Sequence, residues 1–218
     1  MELIEIMKSR HSVRQYESRP IEEEKKAVLN SLIQEINEEH HLHIQAFYEE
    51  PKCFDSFMAH YGKFSGVSNY ITLVGTKSSE LEETLGYQAE KIVLKATELG
   101  LNTCYVAMTH GKSKANINKG EKQVCLIALG YGTTQGIEHS SKPLDKVSNA
   151  KADSPSWFVE GVKAALLAPT AMNQQKFCFE LQPDGKVKRS TKGGFYTKLD
   201  LGIANYHFEA ITGIKTIR

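Results

Sequence analysis

The chain of 218 residues is long enough for one sizeable core, and 40% hydrophobic with 24% charged residues is an ordinary globular composition. A formal net charge of +1 gives no electrostatic case for nucleic acid or a membrane surface, so any anion site has to be local. No stretch approaches the roughly 18 continuous apolar residues that span a bilayer. The acids inside Met-Glu-Leu-Ile-Glu-Ile-Met-Lys are unlike a signal peptide, and together these features predict a cytoplasmic protein.

Leu3, Ile4, Ile6 and Met7 predict a short amphipathic helix over Glu2 to Ser9. Pro20 then opens a helix from Ile21 to Glu38, with acids in its first turn and Ala27, Val28, Leu29, Leu32, Ile33 and Ile36 along one side. Leu42 to Tyr48 alternates as a strand does, and Tyr70 to Gly75 is a compact β-branched run. A long helix is expected over Leu81 to Leu99, stopped by Gly100, followed by extended chain over Leu101 to Met108. Val124 to Tyr131 is continuously apolar, the pattern of a buried strand.

Between Thr133 and Ser156 the composition turns to Gly, Ser, Lys and Asp, a long connection, and any internal boundary falls near 151–155. The last third predicts a helix from Ser156 to Leu167 ended by Pro169, then a hairpin of Phe177 to Leu181 and Lys186 to Arg189 around Pro183-Asp184-Gly185. A helix over Leu199 to Ile211 follows. Its start, Gly202-Ile-Ala-Asn-Tyr-His-Phe-Glu-Ala, faintly matches Gly86-Tyr-Gln-Ala-Glu-Lys-Ile-Val-Leu, as an internal duplication would. The four cysteines are widely spaced and form no C-x-x-C pair, which predicts free, mostly buried thiols.

Two stretches carry chemistry. In Ser9-Arg10-His11-Ser12-Val13-Arg14-Gln15-Tyr16, extended chain puts Arg10, Ser12 and Arg14 on one side and His11 and Val13 on the other. Two guanidiniums flanking a hydroxyl suit a phosphate monoester, because each offers a planar fork of donors. Spacing alone favours the plainer reading, a solvated basic edge after a short helix. The second stretch is Ala168-Pro169-Thr170-Ala171-Met172-Asn173-Gln174-Gln175.

With both stretches in hand, the chain resembles the FMN-dependent nitroreductase family, in a rearranged subgroup. Lys8 to Tyr16 looks like that family's flavin-phosphate signature, and Ala168-Pro-Thr-Ala-Met-Asn-Gln-Gln-Lys-Phe resembles its A-P-S-x-x-N-x-Q-P-W segment. Gly86 to Gly100, Leu101 to Met108, Ala128-Leu-Gly-Tyr-Gly132 and Ser140 to Val147 follow in family order. The resemblance implies an α+β fold, a three-layer α/β/α sandwich with a mainly antiparallel central sheet, possibly internally duplicated, over a single domain of residues 1–218. It implies FMN as cofactor and NAD(P)H as electron donor, with two-electron, ping-pong reduction of nitroaromatic or quinone-type acceptors. A flavin-binding storage or redox-sensing protein is the alternative.

Residue by residue, the resemblance implies that Arg10, Ser12 and Arg14 hold the phosphate and ribityl end, with His11 nearby and Lys142 and Ser141 as further contacts. Pro169, Thr170, Ala171 and Asn173 would line the isoalloxazine, and backbone N–H groups of Val106, Ala107 and Met108 would approach its N5 and O4, with Tyr105 beside it. No catalytic side chain is assigned. In the usual family order the second segment comes early and reaches a partner subunit's flavin. Here it follows residue 168, so the chain is expected to be a monomer imitating the family dimer, or a homodimer. The expected partner is a small-molecule acceptor, with no nucleic acid and no membrane.

Other signals are weaker. His40, His41 and His43 follow two acids, but adjacent His on a helix end point apart, and no metal is expected. The basic run Lys112 to Lys122 suits either a nucleotide phosphate or a solvated loop. No G-x-G-x-x-G follows a strand, which disfavours a Rossmann domain.

Overall fold

The computed structural model describes residues 2–218. They divide into two compact units, neither continuous in sequence. One comprises Arg10–Leu81 and Ile92–Glu138; the other comprises the chain up to Ser9, Glu82–Lys91 and His139–Arg218.

The first unit is built on a sheet in the order β1 (Gln45–Phe47), β2 (Asn69–Thr76), β4 (Glu121–Gly130), β3 (Asn102–Val106), with every neighbour antiparallel. Leu126, Ile127, Ala128 and Leu129 of β4 are all fully buried, as are Tyr70, Ile71, Leu73 and Val74 of β2. Both faces are covered, which is why the two strands read as continuous apolar runs. Helix α2 (Glu23–His40) buries Leu29, Ile33 and Ile36, and the short α3 (Phe57–Tyr61) starts where the Ser56 hydroxyl accepts from Ala59 N–H at 3.2 Å. A cluster of Val13, Tyr16, Phe54, Phe64, Tyr70, Cys104, Val106 and Leu126 forms the unit's core.

β1 is shorter than the alternation over Leu42 to Tyr48 predicts. The Asn37 carboxamide takes both main-chain groups of Ile44, accepting from its N–H and donating to its C=O at 2.8 Å each. Those groups are then unavailable to a ladder, and Leu42 keeps only an isolated bridge to Gly75. His43 pairs with Glu121 (2.9 Å), not with its histidine neighbours.

Helix α4 (Leu81–Glu98) lends Glu82–Lys91 to the second unit and the rest to the first, and Gly100, at φ +78°, stops it. The second unit also holds α1 (Leu3–Ser9), α5 (Ser156–Ala165), the hairpin β5 (Phe177–Leu181) and β6 (Val187–Thr191), and α6 (Thr197–Thr212). α5 ends before Leu167 because its last turn tightens: Leu167 N–H bonds to Ala164 O and Ala168 N–H to Ala165 O, and Pro169 disfavours helical backbone before it. Phe208 of α6 stacks on Phe179 (4.7 Å between centroids) and meets Phe158 edge-on.

α6 is buried on nearly every side, from Thr197 to Glu209. Its polar residues therefore need internal partners, and they have them. Asn205 and Thr216 join Glu209, which also bonds Tyr87 and Lys215, while Asp200 and His207 reach other elements. Cys53, Cys104 and Cys125 are buried and Cys178 is half-buried, as expected of small apolar side chains. Among the described residues no helix is long and apolar enough to cross a membrane.

Within the second unit α4 and α6 cross at a pair of glycines. A Cβ on Gly86 would stand 2.2 Å from Leu199 O and 3.2 Å from Ile203 N; one on Gly202 would stand 2.0 Å from Glu83 O and 2.8 Å from Tyr87 N. Each glycine thus faces the residue three before and the residue one after its counterpart, the reciprocal pattern of a local two-fold axis. The faint sequence match between these helices is a match in packing. Alanine for glycine in a helix ordinarily gains about 1 kcal/mol. Here the methyl meets backbone, and Gly202→Ala is expected to lose roughly 2–3 kcal/mol, the range of overpacking, read as a lower urea midpoint at unchanged m-value.

Candidate cofactor site

The extended segment after α1 is held along both edges. Val13 N–H donates to Thr103 O (3.0 Å) on one side; on the other, Tyr16 N–H donates to Ser65 O (2.9 Å) and Ser65 N–H to Arg14 O (3.0 Å). Gly66, at φ +70°, makes the second contact possible, since a Cβ there would lie 2.1 Å from Tyr16 O. Val13 and Tyr16 are buried in the core, and the Tyr16 hydroxyl donates back to Val13 O (2.8 Å).

Arg14, Ser12 and Arg10 all lie within electrostatic reach of the Cys104 thiol. Burial pushes that thiol's pKa up, while Arg14, a hydrogen bond with Ser12, and Arg10 each pull it down. Arg10 is 4% exposed, and its buried Nε has no hydrogen-bond partner among the described residues. Arg14 is exposed, its guanidinium 6.0 Å from the Phe64 ring centroid. His11 is half-buried, and Gly136, at φ +77°, comes so near that a Cβ there would lie 2.7 Å from its Cβ. Tyr105 pairs with Ile127 in β3, half-exposed; Val106 closes the strand, buried; Ala107 is half-exposed and Met108 61% exposed beyond it.

A second group of expected residues comes together inside the other unit. The 169–175 loop turns through left-handed backbone at Met172, Asn173 and Gln175 (φ 53°, 53° and 43°), and its bonds explain how non-glycine residues stay there. Gln175, buried, donates from Nε2 to Ser140 O (2.9 Å) and Asn173 Oδ1 (2.6 Å) and accepts from Lys142 N–H (2.8 Å). Asn173 Nδ2 also donates to Ser140 O (2.8 Å), and Thr170 Oγ1 accepts from Gln175 N–H (3.1 Å). Lys142 Nζ donates to Gln174 O (2.6 Å) and Gln175 O (3.2 Å), and Ser141 Oγ to Leu166 O (3.4 Å). Lys142 and Ser141 are therefore engaged with backbone carbonyls, Lys142 as a clamp on the loop. Pro169 is half-buried at its start and Met172 is 90% exposed at its tip.

Two groups escape a sequence reading: Cys104, the thiol at the centre of the cationic segment, and Asp200, whose carboxylate accepts from Ala171 N–H (2.9 Å) and from Gln174 Nε2 (2.7 Å). An acid within the otherwise apolar run from Leu199 to Ala204 was the available signal for Asp200.

An antiparallel sheet flanked by long helices, with a cationic extended segment pinned to its edge strand, is the architecture of the nitroreductase fold. A structure from Thermotoga maritima MSB8, described as a putative nitroreductase, matches all of this chain and 88% of its own at TM-score 0.69 and 23% identity. A putative nitroreductase in complex with FMN from Desulfovibrio desulfuricans matches 66% of this chain and 94% of its own at TM-score 0.51 and 15% identity. A nitroreductase family protein from Streptococcus pneumoniae TIGR4 matches 69% and 100% at 0.53 and 14%. No curated protein sequence matches. The family model described as "Putative TM nitroreductase" matches residues 2–212, and the chain belongs to that family.

Proposed function

We propose that the protein is an FMN-dependent oxidoreductase of nitroreductase type, taking electrons from NADH or NADPH and passing them to electron-poor small molecules such as nitroaromatics or quinones. Bound flavin supplies the two-electron hydride chemistry. The chain's own residues bind, orient and control access.

Arg10 carries this reading. A buried guanidinium Nε with no acceptor is costly unless an anion satisfies it. Arg14 and Ser12 act on the same buried thiol as Arg10 does, and two positive charges with a hydroxyl suit one phosphate monoester dianion. Thr170, Ala171 and Asn173 are assigned to the ring edge. Asn173 keeps one N–H and one lone pair beyond its bonds to Ser140 and Gln175, so it can still meet a heterocycle. Tyr105 and Met108, partly or largely exposed at the end of β3, are assigned to the acceptor side.

We further propose one FMN per chain in a monomer. The reciprocal Gly86/Gly202 crossing supports this, because it supplies within one chain the two-fold helix contact that a homodimer makes between copies. Native mass spectrometry should find one flavin on a monomer; an obligate dimer would count against it.

The test of the activity is the absorption spectrum of protein loaded with FMN, followed anaerobically as NADH or NADPH is added. Flavin bands that bleach and then recover on adding a quinone are expected. Bound flavin that neither nucleotide reduces would contradict the oxidoreductase reading.

A further inference from the structure

Asp200 lies near the start of α6, 2% exposed, and both of its oxygens are committed to the 169–175 loop: one to the Ala171 main-chain N–H, the other to the Gln174 carboxamide. Gln174 in turn donates to Phe195 O (2.8 Å), so the bridge ties the loop to the chain just before α6 as well. Left-handed backbone at Met172, Asn173 and Gln175 is uphill for side chains of this kind and has to be over-determined by its surroundings. Gln175 and Lys142 hold the loop from the Ser140 side; Asp200 holds it from the helix side.

We propose that Asp200 is the positioning residue of this loop, its ionised carboxylate fixing the path on which Thr170, Ala171 and Asn173 are presented to the flavin ring. This rests on the FMN reading above. Asp200 touches neither phosphate nor ring in this assignment; it acts through Ala171 and Gln174.

The carboxyl is poised to titrate. Burial raises its pKa to about 6, against the Ala171 N–H and then the Gln174 amide, which lower it; no charged side chain among the described residues acts on it. Ionised, it accepts from both donors through charge-assisted bonds. Protonation relieves the burial but weakens both bonds and adds an O–H facing two donors. The two bonds favour the ionised form, so the hold of Asp200 on the loop is expected to weaken as pH drops through about 6. Over the same range the fold as a whole gains stability, because this carboxyl takes up its proton more readily than in the unfolded chain.

The phosphate of FMN itself titrates near 6, so the first readout is flavin-free. In ¹⁵N-labelled full-length protein the Ala171 amide proton should shift with pH, with a midpoint near 6 in wild type. It should not titrate in Asp200→Asn, and in Gln174→Leu the midpoint should rise, because one bond to the ionised form is gone. The second readout is binding at pH 8 of FMN and of riboflavin, which lacks the phosphate. Asp200→Asn should weaken both by the same factor, about tenfold, whereas Arg10→Ala should weaken FMN only. An Ala171 amide blind to pH, or unchanged affinity for both flavins in Asp200→Asn and Gln174→Leu, overturns the proposal. Failure to bind either flavin overturns it together with the FMN reading. Equal loss of both flavins in Asp200→Asn with no effect of Arg10→Ala supports Asp200 and sinks the phosphate assignment alone.

Discussion

Arg10→Ala should weaken FMN binding by about 2–3 kcal/mol, roughly 30- to 150-fold, the upper part of the range for a hydrogen bond to a charged group. Three facts set the size. The side chain is 4% exposed, so little solvent screens it; its Nε has no acceptor among the described residues; and Arg14 and Ser12 lie within electrostatic reach of the same Cys104 thiol. Arg10→Lys should recover part of the loss, since it restores the charge but not the planar fork. Arg14 is exposed, and its truncation should cost less. Without FMN, Arg10→Ala should cost little stability, because the buried Nε has no hydrogen bond among the described residues to lose. Fluorescence titration and urea unfolding read the two effects, and FMN affinity unmoved by Arg10→Ala would remove the phosphate site.

His207→Ala should be the most damaging change to stability, at roughly 3–5 kcal/mol, the cost of removing one partner from a buried, hydrogen-bonded acid–base pair. His207 is fully buried between Ala164 O, 3.0 Å from Nδ1, and Glu90 Oε1, 2.9 Å from Nε2. A carbonyl only accepts, so Nδ1 carries a proton. The Nε2 contact then needs a second one, on the imidazole or on the carboxyl, and the pair is neutral overall. Truncating the imidazole strands the Glu90 carboxyl in the interior without this partner and leaves a cavity under α6. Glu90→Gln, which keeps the shape and can donate to a neutral Nε2, should cost less than about 1.5 kcal/mol, as volume-conserving swaps do. Equal losses for the two variants would contradict the shared-proton picture.

Much of the fold was legible where a single physical rule dominates. α2 and α4 announce themselves by apolar spacing and by the stop at Gly100; β2 and β4 by continuous burial. The length of β1 was not, because a side chain from the preceding helix, Asn37, competes with the ladder for Ile44. The cationic segment was legible as a run of Arg10, Ser12 and Arg14, but its burial was not: Val13 and Tyr16, on opposite sides of an extended chain, are both buried, and Arg10 is buried while Arg14 is exposed. The 169–175 loop was legible as a motif but not as a structure. What holds it, Asp200, Ser140 and Lys142, lies about 25–35 residues away, and no periodicity links residues across such a gap. Gly86 and Gly202 looked like weak points in two helices; only the crossing shows that a methyl has no room at either.

The most direct test of the phosphate cradle is a paired titration of the flavin-free protein with FMN and with riboflavin, ligands that differ only in the phosphate. A cradle of Arg10, Ser12 and Arg14 requires FMN to bind at least about 30-fold more tightly at moderate salt, with most of that ratio lost in Arg10→Ala. Equal affinity for the two flavins, or a ratio that survives Arg10→Ala, would contradict it.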